Sequence, residues 1–268
     1  MSAFEAAVLG AVQGLTEFIP ISSSGHLVVV PEALGWSKPG LAFDVLLHTA
    51  SLLALVVYFA KDLMGIISGT LRGSGTARRT ALLLAVGTVP AAGAGILLGE
   101  FFEESFEDAS AAAVQLVITA VILVAAELVF SHHSARRASQ ERPLRRIENL
   151  NAADATIIGG AQAISILPGI SRSGATIGAG LALAMDRSDS ARFAFLLAIP
   201  ALLGASLVEI PELSGTTLSM QAAAAGFVTS LITSYAAIWG LIRYLKTRTL
   251  YPFAVYCVVA GIFFYAVV

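Results

Sequence analysis

VQGLTEFIPISSSGH, residues 12–26, places a glutamate, three consecutive serines and a histidine in an otherwise apolar N-terminal run. Isolated charge in such surroundings is costly unless it is paired or put to use. The mixture returns at residues 161–175, AQAISILPGISRSGA. Laid over one another, Gln13 meets Gln162 and Gly25 meets Gly174, with the proline moved by one place. Further on, FDVLLHTASLL from Phe43 answers RFAFLLAIPALL from Arg192, with Phe43 over Phe193. Two matches in the same order at nearly one offset point to an internal duplication.

The surroundings of these segments set the class. The chain has 268 residues, of which 57% are hydrophobic and 13% charged, with a mean hydropathy of +0.82. Soluble domains carry about 25% charged residues, so the composition is that of a membrane protein. Crossing about 30 Å of hydrocarbon takes roughly 20 apolar residues. Six runs qualify, at about 41–60, 80–99, 110–130, 190–210, 219–241 and 250–268. Continuous runs of Ala, Leu and Val exclude the alternating ten-residue pattern of a β-barrel. Met1 to Glu5 lacks a basic n-region, so no secretory signal is expected. The one cysteine, Cys257, leaves no intrachain disulfide. The polar stretches 61–79 and 131–153 read as ordinary connections.

Charge placement decides how the two odd segments sit. If both are re-entrant hairpins, 14 of the 16 Lys and Arg residues fall on one side, with Lys38 opposite and Arg172 in the motif. If both cross fully, the division is nine against six. Basic residues collect on the cytoplasmic side, so the hairpins are preferred. The expected fold is an all-α polytopic membrane protein with six full transmembrane helices plus two re-entrant helical hairpins in an inverted-topology repeat. It forms one membrane domain over 1–268. Repeat 1 covers about 1–131 with its hairpin at 4–36, and repeat 2 about 152–268 with its hairpin at 153–187. Both termini and the acidic stretch 100–108, with Glu212, are then expected outside. Trp36, Tyr58, Trp239 and Tyr251 fall near span ends, where an aromatic belt would sit.

Inverted repeats with broken helices build polar sites near the bilayer midplane. If the tips meet, Glu17, Ser22, Ser23, Ser24 and His26 join Ser171, Arg172 and Ser173. Gly25, Gly169 and Gly174 would turn the backbone and expose its amides. The half-helix N-termini after each turn favour anions, and Arg172 adds a fork suited to phosphate oxygens. Glu17 and His26 are candidate acid–base groups, and a serine beside them a candidate nucleophile. Glu17 could equally hold a divalent cation bridging a diphosphate. These ingredients suit phosphoryl transfer. The competing readings are a structural Glu–His pair, close helix packing by Ser and Gly, and simple neutralisation of Glu17 by Arg172.

Other polar residues read as less specific. Glu127 bonds a neighbouring helix or snorkels, with the structural reading favoured. Asp44 and His48, one helical turn apart, either pair with each other or line an entrance. His132 and His133 read as solvated. Arg136, Arg137, Arg142, Arg145 and Arg146 read as setting topology and touching anionic headgroups.

At these residues the sequence resembles the undecaprenyl-diphosphate phosphatase family of bacterial membrane enzymes, also called bacitracin-resistance proteins. Gln13-Gly-Leu-Thr-Glu17 matches its Glu/Gln-x-x-x-Glu signature, and Ser22 to His26 its Ser-Ser-Ser-Gly-His run. Pro168-Gly-Ile-Ser-Arg-Ser-Gly174 matches its second signature, and Phe195 to Pro200 fits as well. The resemblance extends over essentially the whole chain. It implies hydrolysis of undecaprenyl diphosphate to undecaprenyl phosphate and inorganic phosphate, recycling the carrier lipid for cell-wall synthesis and conferring bacitracin resistance. It also implies a divalent cation, Mg2+ or Ca2+, and a multi-pass protein of the bacterial cytoplasmic membrane with its site opening to the outer face. Glu17, a first-loop serine, His26 and Arg172 match the residues considered essential in the family.

The resulting expectation gives Glu17, Ser23, His26 and Arg172 catalytic roles, with Ser23, His26 or water as nucleophile. Ser22, Ser24, Gly25, Ser171, Arg172, Ser173 and Gly174 would bind phosphate, and Glu17 with Gln13 would be the metal candidates. Gln13 stands where many members have a second glutamate, which puts a two-carboxylate metal site in doubt. Expected partners are a polyprenyl diphosphate and membrane lipids, with no nucleic acid and a homodimer left open. The rival class is an inverted-repeat transporter or flippase for a lipid phosphate or small anion.

Overall fold

Short helices flank both unusual segments. The computed structural model describes residues 1–37, 39–105, 109–167, 169–209 and 218–267. Lys38, Pro168, Glu212 and residues 106–108 of the acidic stretch lie outside these. In the first segment α1 (Ala3–Phe18) is followed by α2 (Ser23–Ala33), and in the second α7 (Ala152–Ile164) by α8 (Arg172–Ala182). At 1.5 Å per residue, the 11 residues of α2 and of α8 rise only about 17 Å, too little to cross the hydrocarbon. Capping boxes start the first helix of each pair, Ser2 with Glu5 on α1 and Asn151 with Asp154 on α7.

The remaining helices are α3 (Leu41–Tyr58), α4 (Ala60–Leu71), α5 (Gly75–Ser105), α6 (Ala109–Ser139), α9 (Arg187–Glu209), α10 (Met220–Leu245) and α11 (Tyr251–Val267). Five of them, α3, α5, α6, α9 and α10, are long and apolar enough to cross a membrane, and α11 is a shorter apolar helix. The protein is thus an all-helical, multi-pass membrane protein. Among the described residues there is no strand, only an isolated bridge between Arg145 and Met185.

The connections depart from expectation. Residues 61–79 are largely helical, because α4 fills 60–71 and α5 begins at Gly75. None of the α4 residues is buried, while Leu63 and Ile66 rest against the main core and Asp62 pairs with Arg192 of α9. A 12-residue helix with one apolar stripe is too short and too mixed to register as a span. In residues 131–153, α6 continues to Ser139 and carries its basic residues on a helical end. Arg145 there is no simple headgroup contact, since it pairs with Asp154 and donates to the carbonyls of Asn149 and Leu183. His133 is likewise engaged, with Nδ1 donating to the Ala182 carbonyl at 2.8 Å. Glu127 is structural. It accepts both guanidinium nitrogens of Arg187 at 2.5 and 2.6 Å and the Leu250 amide at 2.6 Å, joining α6, α9 and the start of α11.

Small residues let helices close on one another. α1 lies along α10, and a Cβ at Gly10 would stand 2.3 Å from the Gly226 carbonyl oxygen. α7 lies along α5, and a Cβ at Gly159 would stand 2.0 Å from the Gly87 carbonyl oxygen. Around the first contact Ala6, Leu9, Phe43, Leu47 and Ala222 form a buried cluster. Around the second, Leu83, Ala155, Ile158, Phe193 and Leu197 do the same. Gly159→Ala is therefore expected to destabilise the protein by about 1–3 kcal/mol through overpacking. The adjacent Gly160, with nothing within 4 Å of its Cβ direction, is the control. Gly160→Ala should be neutral or gain up to about 1 kcal/mol from helix propensity. Thermal unfolding in detergent distinguishes them, and equal midpoints for the two variants would contradict the close α5–α7 contact.

Candidate active site

The two broken segments meet at Glu17, in the last turn of α1. Its side chain is 2% exposed, yet four side chains surround it, three from other helices and one from α1 itself. Arg172, the first residue of α8, donates to Oε1. Ser23, the first residue of α2, donates its hydroxyl to Oε2 at 2.5 Å. Gln13, one turn earlier on α1, donates Nε2 to Oε2 at 3.0 Å. His48 of α3 brings Nε2 to 3.8 Å from Oε2, and its Nδ1 is fixed by the Asp44 carbonyl at 2.8 Å. A buried carboxylate in such a shell is neutralised and held in one orientation.

A second contact joins the turns themselves. The Gly169 amide donates to Ser24 Oγ at 3.2 Å, and a Cβ on Gly25 would stand 3.5 Å from the Gly169 Cα. Gly169 has φ +86°, the left-handed conformation that glycine adopts without cost. In the first turn that conformation falls on Ser22, at φ +67°. A non-glycine residue there carries backbone strain, which persists only where the surroundings impose it. Gly25 and Gly174, expected to shape the turns, lie inside α2 and α8. At Gly174 the value is close approach, since a Cβ would press on Ser171 at 3.1 Å, whereas a Cβ on Gly25 would make only ordinary contact.

The two turns treat their helix N-termini differently. Ser171 caps α8, its Oγ accepting from the Gly174 amide at 3.1 Å and lying 3.2 Å from Ser173 Oγ. Ser22, at the matching place before α2, makes no side-chain cap. Its Oγ instead lies 3.3 Å from Ser24 Oγ, and its carbonyl accepts from His26 Nδ1 at 2.7 Å. The first amides of α2 are thus left to other partners, next to Ser23 and Arg172.

His26 is 3% exposed, and its other nitrogen, Nε2, bonds the Tyr256 hydroxyl of α11 at 2.8 Å. The rings of His26 and Tyr256 stack at 5.7 Å. Both nitrogens of His26 are engaged outside the Glu17 shell, while His48 is the imidazole that faces Glu17. Sequence reasoning left His48 between two readings and passed over Thr119 and Tyr256. Thr119 and Tyr256 are lone polar side chains in apolar runs whose partners come only from tertiary packing; His48 is held locally by the Asp44 carbonyl, and only packing brings it to Glu17.

A narrow cleft of about 10 Å³, room for about one water, lies against the cluster. Glu17, Arg172, Ser173 and Thr176 line it on the polar side, and Phe18, Ala194, Phe195 and Ala198 on the apolar side. Polar groups converge with an apolar wall, an arrangement suited to an amphiphile with an anionic head. For a resident metal the fit is poor. Among the described residues no three His, Cys, Asp or Glu side chains converge, and the Glu17 carboxylate is committed to Arg172. Gln13 Oε1, buried without a partner, is a neutral oxygen at the right place but a weak ligand alone.

The sequence model of a family described as "Bacitracin resistance protein BacA" matches residues 6–263. Among curated relatives, an undecaprenyl-diphosphatase of Chlorobaculum tepidum is 39% identical over 273 residues, covering 98% of this chain and 95% of the relative. One of Gloeobacter violaceus is 41% identical over 261 residues, covering 94% and 87%. One of Geobacter sulfurreducens is 40% identical over 271 residues, covering 97% and 96%.

Proposed function

Because the chain belongs to the bacitracin resistance protein BacA family, we propose that it hydrolyses undecaprenyl diphosphate to undecaprenyl phosphate and inorganic phosphate. This returns the carrier lipid to cell-wall synthesis and would confer bacitracin resistance. The observation that carries the reading is the Ser23–Glu17–Arg172 cluster, in which a hydroxyl and a guanidinium from separate helices share one carboxylate base beside an amphiphilic cleft.

In this reading the terminal phosphate lies between Arg172 and the first amides of α2, with Ser22, Ser24, Ser171 and Ser173 around it. Ser23 Oγ attacks the terminal phosphorus, its proton passing to Glu17 Oε2, while the bridging oxygen leaves on the lipid monophosphate. Water then attacks the phosphoserine, the Oγ–P bond breaks, Ser23 recovers a proton and inorganic phosphate departs. Ser23 is preferred over His26 as nucleophile because its hydroxyl points at Glu17 at 2.5 Å, whereas both His26 nitrogens are bonded elsewhere. His26, stacked on Tyr256 and bonded to the Ser22 carbonyl, then supports the loop. Gln13 orients Glu17. A divalent cation, Mg2+ or Ca2+, would in this scheme arrive with the diphosphate and reduce its charge, with Glu17 and Gln13 the residues nearest to hold it.

The same reading takes α1–α2 and α7–α8 as re-entrant hairpins in two inverted repeats, about 1–131 and 152–268. Its support is that the two buried clusters use matching places. Ala6, Leu9, Gly10 and Phe43 in the first half answer Ala155, Ile158, Gly159 and Phe193 in the second. The membrane is then the bacterial cytoplasmic membrane, with both termini and the cleft on its outer side.

Purified protein in detergent micelles offers no second compartment and so separates chemistry from transport. Release of inorganic phosphate from undecaprenyl diphosphate there is the expected result. No release from folded protein, with lipid phosphate moving across proteoliposomes instead, would make the cluster a carrier's binding site.

A further inference from the structure

α6 reaches the second turn at one side chain. Thr119 is 1% exposed, and its hydroxyl does two jobs in that turn. It donates to the Gly169 carbonyl at 2.9 Å and accepts from the Ser171 amide at 3.0 Å. One hydroxyl can do both, since it carries one donor and two lone pairs. The turn is pressed onto the same face of α6, where a Cβ on Gly169 would stand 2.6 Å from Gln115 Cβ and 2.7 Å from the Ala112 carbonyl. The two backbone groups that Thr119 holds bracket the turn, and each is tied to the site. Gly169 donates to Ser24 in the first turn, and Ser171 caps α8 one residue before Arg172.

We propose that Thr119 is a positioning residue for the phosphatase reaction, fixing the second turn on α6 and through it the aim of Arg172. The role rests on the phosphatase reading above. Without the hydroxyl a buried carbonyl and a buried amide lose their partner, and the start of α8 is freed to shift. Displacing a charge-stabilising group by about 1 Å can cost on the order of 10²-fold in rate.

The test compares phosphate release from undecaprenyl diphosphate by wild type, Thr119→Val and Thr119→Ser, each also in an Arg172→Lys background, with unfolding midpoints alongside. Thr119→Val is expected to lose on the order of 10²-fold in kcat/KM. Thr119→Ser should restore most of that loss. In the Arg172→Lys background the penalty of Thr119→Val should shrink to about twofold or less, the non-additivity expected when one residue acts through the other. If Thr119→Val fails to fold, Thr119→Cys, of similar volume but a weak donor, carries the same comparison. Unchanged kcat/KM in the folded variant, or an equal penalty in both backgrounds, overturns the role. A folded wild type that releases no phosphate overturns the phosphatase reading itself, and this role with it.

Discussion

Arg172→Ala is expected to lower phosphate release by at least about 10³-fold, the scale on which an arginine neutralises charge in phosphoryl transfer. Two losses combine. The forming charge on the phosphate loses its fork, and Glu17, with a side chain 2% exposed, loses its counterion. Breaking a buried pair by removing one partner typically costs about 3–5 kcal/mol. Water entering the place of the Arg172 side chain, itself 25% exposed, compensates the 2%-exposed Glu17 only in part. A lower unfolding midpoint should therefore accompany the lost activity. Arg172→Lys separates the two. A lysine keeps the charge, and so most of the stability, but not the planar two-pronged contact. Midpoints near wild type with activity still well below it are expected for Arg172→Lys. Full activity there would assign Arg172 to charge balance alone.

Glu17→Gln should produce the opposite division. The amide is isosteric and still accepts a hydrogen bond from Ser23 or Gln13, so the packing of α1 survives. The proton acceptor for Ser23 is gone, and general-base removal costs about 10²–10⁴-fold. Arg172, no longer held by a carboxylate, becomes fully available to phosphate. The expected pattern is kcat lower by about 10³-fold with KM equal to or below that of wild type. A raised KM with unchanged kcat would instead make Glu17 a binding group.

How much of this could be read from the sequence depends on whether the cause was local. The broken segments were legible because glutamate, arginine and serine runs inside lipid-length apolar stretches have few innocent explanations. The contact between Glu17 and Arg172 followed from bringing the two tips together, and the ion pair is present. The turn chemistry was only half legible. Gly169 takes the left-handed conformation as a glycine should, but in the first turn Ser22 takes it while Gly25 packs inside a helix. Composition could not separate a glycine used for a turn from one used for close approach.

His48 shows the other limit. Its i, i+4 spacing from Asp44 is visible, and the bond formed is to the Asp44 backbone carbonyl. Its proximity to Glu17 depends on how α3 packs beside α1, which no local pattern records. Tyr256 and Thr119 were invisible for the same reason. α4 escaped notice because a short surface helix shares its composition with a polar connection.

The most direct measurement is protection of a thiol placed at Ser23. Cys257, the only native cysteine, is buried, so maleimide labelling of the Ser23→Cys variant reports on the first turn alone. If diphosphate lies between Ser23 and Arg172, saturating undecaprenyl diphosphate should slow labelling markedly. The same lipid should give little protection once Arg172→Ala is added. A labelling rate unaffected by substrate, with Arg172 intact and the protein folded, would place the diphosphate elsewhere and contradict a site built from the two turns.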